Sequence, residues 1–480
     1  MKKSKLIALF QVMNSHEMKW FDRYVNSTYF NQNENVIKLL GILRKYHPEF
    51  QDSKIAMENV GNLLFNHYDW REQDLRYVMT DLFKLLESFL ALQEFNKDEV
   101  YKKHLLLQTY DNRGLDKHFK QSLEEAKQFQ VKNNKRNVEY FFNQHLIGSD
   151  SYLHSLNQTP RAINKNLQDA VDNLDFYYLS NRLRYSAAIL NREDIFQETY
   201  NNLFLVEILN LLSKIDLENI PAIGIYKRIV MLFIDADNKE HYKILIEALE
   251  PFSDEFPEDE LRDMYMHALN YCNRRLSAGE LSYQNEMLEL YKTLLKKNIL
   301  TLNGQLSPGT VKNIVTLALR LDQAEFAKEF LENYKGKIIP EFRDNTYIYN
   351  TANLHFHNRD FSKALRLLQT VDIEDIYYHL DAKILLLKTY FELNDIDPFN
   401  SLVEAFSNYL KRNKKISETQ RKIYLNFIKY VKKLMQARTK NKIDKDEFIE
   451  SMKETANVAN MHWLTIKVGE EYDKIKKERI

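Results

Sequence analysis

Glycine and proline are scarce in this chain, at 10 and 8 of 480 residues, where average usage of roughly 7% and 5% would supply about 34 and about 24. Hairpins, phosphate loops, dinucleotide-binding turns and nucleophile elbows depend on glycine where the backbone turns sharply or a ligand comes close. A chain this poor in glycine is confined to structure that needs little of it, which is helix. Helical periodicity recurs along almost the whole sequence, and most Gly and Pro fall between the periodic segments, where they read as joints. The expected fold class is all-α, a long array of helices.

Hydrophobic residues make up 44% of the chain and aromatics 12%, enough apolar surface to offset the entropy of ordering it. The 68 basic and 68 acidic side chains cancel, which argues against a surface built throughout for polyanions. Cys272 is the single cysteine. It excludes an intrachain disulfide and Cys-based zinc patterns, and fits a reducing, cytoplasmic setting. The basic start Met1-Lys2-Lys3-Ser4-Lys5 and the short apolar run Leu6 to Phe10 lack a cleavage site and read as an amphipathic first helix. No run approaches the ~18 apolar residues of a membrane span, so no membrane partner is expected.

Three regions are expected: an N-terminal helical domain over 1–95, a divergent helical-repeat region over 96–307, and a repeat array with capping helices over 308–480. The first region reads as helices near 4–25, 33–46, 54–66 and 71–95. The last has Asp69 as N-cap with Glu72 three residues later, and an apolar stripe of Leu75, Val78, Leu82, Leu85, Leu86 and Phe89. Gly148-Ser149-Asp150 and Gln158-Thr159-Pro160 read as breaks. Helical arms follow near 163–190 and 194–214, 221–235 and 239–251, and 258–277 and 280–299. Ile225 to Ile234 has the composition of a buried strand, but Ile225, Ile229, Leu232 and Phe233 keep helical spacing and favour helix.

Residues 308–412 carry an internal repeat of helix-turn-helix units whose second helices begin about 35 to 37 residues apart, a period that signals a solenoid. In the middle unit Ala352 is followed by Phe361, Ala364 and Leu368, with Arg359-Asp360 at the turn. This stretch resembles the tetratricopeptide repeat, in which small residues let two helices approach while larger ones fill the space between. Ala327 and Leu331 in the unit before, and Tyr390, Asn394, Ile396 and Phe399 in the unit after, match it more loosely. His355, Arg359 and Ile376 depart from it, standing where Tyr, Gly and Pro are usual. The resemblance implies a right-handed α-solenoid of antiparallel helix pairs that binds a protein or peptide along a groove formed by the first helices. Lys312, Tyr349, Asn353, Phe356 and His357 would line that groove. Of the five polar positions of the family's chaperone-tail clamp, Lys312 and Asn350 fit, while Thr316, Asp381 and Leu385 do not.

No catalytic, cofactor-binding or metal-binding residue is assigned. Gly304 to Thr310 has the glycine spacing of a phosphate loop without its Lys or a preceding strand. Asp235-Ala236-Asp237-Asn238 begins like a calcium loop, but Lys239 and His241 stand at ligand positions. His355 and His357 are two apart and diverge on a helix, and Cys272 reads as a buried apolar residue. What remains is local charge. Over 411–442 twelve basic residues face Glu418 alone. At about 100° per residue, Arg421, Lys422, Lys429, Lys432 and Lys433 share one helix arc opposite Ile423, Tyr424, Phe427, Val431 and Leu434. An acidic cluster, Glu250 to Asp263, offsets it. The expected function is a non-enzymatic scaffold or adaptor that binds a partner along the solenoid, with the basic arc as a second docking surface. The alternative is a nucleic-acid-associated regulator whose N-terminal unit holds a helix-turn-helix around 54–95.

Overall fold

A computed structural model describes all residues except 2, 51–52, 66–68, 159–164, 197, 372–375, 456 and 479–480. Among the described residues the chain forms 23 α-helices and no strand, with isolated bridges only at Leu302–Gln305 and Leu306–Ile338. The segment Ile225 to Ile234 belongs to the helix Pro221–Ile234.

Asparagine turns more of the corners than glycine does. Left-handed backbone occurs at Asn298, Asn303, Asn394, Asn441, Asn457 and Asn460, and at Asp322 and Arg359, while only Gly114, Gly279 and Gly304 among the described glycines have positive φ. Asn and Asp tolerate that region because their short polar side chains bond locally. Arg359 adopts it, with φ 62°, at the turn between the helices Arg343–His357 and Phe361–Thr370.

Several expected boundaries are corrected. The break at Gly148-Ser149-Asp150 lies inside the helix Val138–Gln158, and a Cβ at Gly148 would stand 3.0 Å from the Ala170 Cα. That glycine permits a close helix approach instead of ending a helix. Thr159-Pro160 lie outside the described residues. The helix expected over 4–25 is two, Lys5–Val12 and Ser15–Val25, because Asn14 caps the second: it accepts from the His16 and Glu17 amides, and Glu17 returns to the Asn14 amide at 2.8 Å. The helix Glu72–Lys97 is capped at Arg71 rather than Asp69, the Arg71 amide donating to Asp74 at 3.0 Å. The arms expected at 163–190 and 194–214 are one long helix, Lys165–Phe196, and a short one, Leu205–Leu212. No Gly or Pro interrupts the former.

The chain divides into two compact units: Met1–Tyr185 with Leu203–Gly224, and Ser186–Asn202 with Ile225–Ile480. In the first, Glu72–Lys97 is the central helix, packed by Lys5–Val12, Ser15–Val25, Glu34–Leu43 and Met57–Leu64. Its buried Leu75, Leu82, Leu86 and Phe89 meet Phe10, Phe21, Leu39 and Val60 in one apolar cluster, each large side chain contributing about 1.5–3 kcal/mol. Next come Glu99–Asn112, Asp116–Lys132 and Val138–Gln158, mutually packed. Two pairs tie the first of these to the third: His104 Nδ1 to Asp150 and His154 Nδ1 to Asp111, both at 2.6 Å. Burial pushes the Asp150 carboxyl up, against the pull of His104.

In the second unit Lys239–Leu249, Glu258–Ser277 and Tyr283–Lys296 pack in sequence. The hairpins that follow are Pro308–Arg320 with Ala324–Tyr334, Arg343–His357 with Phe361–Thr370, and Ile376–Leu393 with Ile396–Arg412, before Glu418–Thr439, Lys445–Glu454 and Met461–Glu478. Each hairpin closes on itself. In addition, the first helices touch one another in a row: Pro308–Arg320, Arg343–His357, Ile376–Leu393, Glu418–Thr439, Met461–Glu478. Ala327, Ala352 and Ala364 are fully buried, which lets the paired helices approach.

Candidate partner-binding face

The row of first helices brings together polar side chains from well-separated parts of the sequence. Asp381 on Ile376–Leu393 accepts from Lys312 Nζ at 2.6 Å and from the Tyr424 hydroxyl at 3.1 Å, so one carboxylate links three helices. Lys312 Nζ also lies 5.6 Å from the Tyr378 ring centroid. Asn350, fully buried, donates to the Tyr378 hydroxyl at 2.6 Å and to the Thr346 carbonyl at 2.8 Å. Tyr349 packs against Tyr378 with ring centroids 4.8 Å apart. Burial, reinforced by the charge of Asp381, holds its phenol well above the ordinary range.

The five positions expected to line a groove therefore divide. Tyr349 is only 6% exposed and supports Tyr378 from within. Lys312 is already ion-paired, so a partner's carboxylate would have to compete with Asp381. Asn353, Phe356 and His357 are half-buried on Arg343–His357. His357 Nε2 lies 3.6 Å from Asp322 and His355 Nδ1 3.7 Å from Asp360, so the two imidazoles serve different turns.

Phe356 leads to a feature that the sequence reading missed. Lys388 Nζ sits 4.7 Å from the Phe356 ring centroid and 5.3 Å from that of Trp463, an ammonium held between two aromatic faces. Its hydrogen bond, to Asn460 Oδ1, is long at 3.5 Å. Burial pushes the Lys388 amine down to about 8; Glu392 pulls it back up, and the charges of Arg320 and Lys467 push it down further. Lys467 binds both neighbouring carboxylates, Glu392 at 2.8 Å and Glu470 at 2.7 Å. The signal in the sequence was slight: a lone Lys in the apolar run Ile384 to Tyr390, and one of three Trp residues.

The basic arc is only partly a surface. Lys422, Lys429, Lys432 and Lys433 on Glu418–Thr439 are exposed, and Phe427, Val431 and Leu434 are buried opposite them. Arg421 is turned inward. Its guanidinium donates to the carbonyls of Leu410, Asn413 and Ile416, at 2.9, 3.3 and 3.1 Å, and pairs with Glu418. It closes the end of the helix Ile396–Arg412 and the loop after it, the work of a C-terminal cap. Arg438 is also internal, paired with the buried Glu471 at 2.7 Å and stacked 3.7 Å from the Phe391 ring centroid.

The remaining sequence candidates have structural partners. Cys272 is fully buried beside Tyr242, and burial raises its thiol to about 12, far from a reactive thiolate. Asp235 meets His241 at 3.0 Å and Asp237 meets Arg275 at 2.8 Å, while Asn238 caps Lys239–Leu249. Ser307 caps Pro308–Arg320 by accepting from the Thr310 amide at 3.1 Å. At the start of Glu72–Lys97, Arg71 is held by Asp74 at 3.1 Å and Arg76 by Glu72 at 2.5 Å, which leaves that helix poorly equipped to meet phosphates. No family model matches the chain, and no curated protein or solved structure matches it either.

Proposed function

We propose that the chain is a non-enzymatic scaffold whose C-terminal helices form a tetratricopeptide-like α-solenoid and bind an extended segment of a partner protein along the row of first helices. What supports the solenoid is the contact pattern: in the three hairpins between Pro308 and Arg412 each first helix meets its own second helix, and the helices of the row meet one after another, which is how stacked hairpins bury a continuous core. The observation that carries the binding role is Lys388 between Phe356 and Trp463. Aromatic anchors beside an incompletely bonded cation are what interface hot spots are made of. The half-buried Asn353 and the polar pair Lys312–Asp381 extend the face along the row.

Selection of a random peptide library on the full-length protein tests this. Enriched peptides should lose at least about tenfold in affinity for a Phe356→Ala/Trp463→Ala variant, the ~1.4 kcal/mol or more expected of a hot-spot pair. The circular dichroism of the variant should stay helical. Peptides that bind the variant as well as the wild type would place the contact elsewhere and defeat the reading.

A further inference from the structure

We propose that the outer face of the helix Lys165–Phe196 is a dimer interface, on which a second copy of this chain docks antiparallel about a two-fold axis near Tyr178. The residues concerned all lie in the first unit, and nothing in the inference depends on the partner-binding row.

That helix is apolar on two sides. Leu179 and Leu183 are buried on the inner one. On the outer one Leu167, Val171, Leu174, Tyr178 and Tyr185 fall 4, 3, 4 and 7 residues apart, the alternation of four and three that keeps side chains on one seam. All five are exposed, from 43% at Leu167 to 58% at Tyr185. A helix that served only its own core would be polar on this side. The seam runs for about 27 Å at 1.5 Å per residue.

A neighbouring turn extends it. Arg182 donates to the Leu203 carbonyl, which fixes Leu203 and Phe204 beside the helix at 58% and 60% exposure. Phe204 has φ 64°, a left-handed conformation unfavourable for a bulky side chain, and neither burial nor a side-chain cap hydrogen bond offsets it. Stripe and turn together leave on the order of 700 Å² exposed. That exceeds the ~300–600 Å² of the largest patch on a typical monomer and approaches the ~800 Å² that each side of a standard interface contributes.

Charge selects the occupant. Asp175 and Arg182 are seven residues apart, so they share one flank of the stripe. Against a second copy running antiparallel, this flank meets itself reversed, and a two-fold near Tyr178 sets Asp175 of each copy beside Arg182 of the other. Parallel pairing would set Asp175 beside Asp175. The same axis brings Val171 of one copy to Tyr185 of the other and Tyr178 to Tyr178, so apolar residues cover apolar residues in a self-complementary contact.

Sedimentation of the full chain from about 1 to 100 μM, a range that reveals an interface of modest area, should show a mass rising to twice the 57.4 kDa of one chain. Tyr178→Glu, an exposed change, should weaken the dimer at least about tenfold while the circular dichroism stays helical. Orientation is read by oxidative cross-linking, since the native Cys272 is buried. Tyr178→Cys should yield a disulfide-linked dimer, and Val171→Cys should not, because the two-fold holds its two copies about 21 Å apart.

A single-chain mass at every concentration would overturn the proposal, as would association that a folded Tyr178→Glu variant leaves unchanged. Equal cross-linking of Tyr178→Cys and Val171→Cys would mean parallel pairing and overturn it too. Should Tyr178→Glu lose its helical signal, the two cysteine variants still decide.

Discussion

The N-terminal core around Glu72–Lys97 and the C-terminal helices from Pro308 onward are both helical, yet they are held together differently. The first has an apolar centre, where Phe10, Phe21, Leu39, Leu82 and Phe89 meet, and an ion pair between its elements, Arg44 to Asp22 at 2.7 Å, lies at the surface with Arg44 half exposed. The second has apolar clusters of its own, but charged side chains cross between its helices, as in Lys312–Asp381, Lys467–Glu392 and Arg438–Glu471. A region selected only to fold has little reason to carry desolvated charge, because a buried ion pair rarely improves on apolar packing. The C-terminal helices carry it on the same row that presents Phe356, Lys388 and Trp463. That contrast is what the proposed scaffold role requires of the two regions.

The largest effect should come from the buried pair. Arg438→Met leaves the Glu471 carboxylate without its principal partner, at a cost of about 3–5 kcal/mol, measurable by urea denaturation. Changing Glu471 to Leu in the same chain should restore much of the loss. Burial pushes the Glu471 carboxyl up, but Arg438 and Lys474 outweigh it and hold it below its ordinary 4.5. The stabilisation is then present above that value and lost as pH falls below it, an acid limb that Arg438→Met should flatten.

In the apolar region, Leu82→Ala should cost about 2–5 kcal/mol through lost burial and a cavity. It should show no such pH dependence and no rescue by a second polar-to-apolar change. A cost of Leu82→Ala that changes with pH as the Arg438→Met cost does, or an acid limb as steep in Arg438→Met as in the wild type, would erase the contrast between the regions.

Much of the fold was legible because helical periodicity depends on neighbours in the sequence. The apolar stripe of Glu72–Lys97 is buried at Leu75, Val78, Leu82, Leu86 and Phe89, as its spacing predicts. Boundaries failed where a side chain acts on the backbone: Asn14 capping a second helix inside an amphipathic pattern, or Gly148 admitting Ala170 rather than stopping a helix. The site was less legible. Angular position puts Arg421 on the basic arc, but its long side chain folds back onto three carbonyls. Lys388 draws its meaning from Phe356 and Trp463, each on a different helix, and no local pattern encodes that meeting.

The central claim is where a partner touches the protein. Hydroxyl-radical footprinting of the full chain, with and without a library-selected peptide, reads it at side-chain resolution. The account predicts that bound peptide protects Phe356 and Trp463 while exposed Tyr29 and Tyr77 in the N-terminal region, 88% and 60% accessible, stay as reactive as in the free chain. Protection confined to residues outside the row of first helices, with Phe356 and Trp463 unchanged, would contradict it.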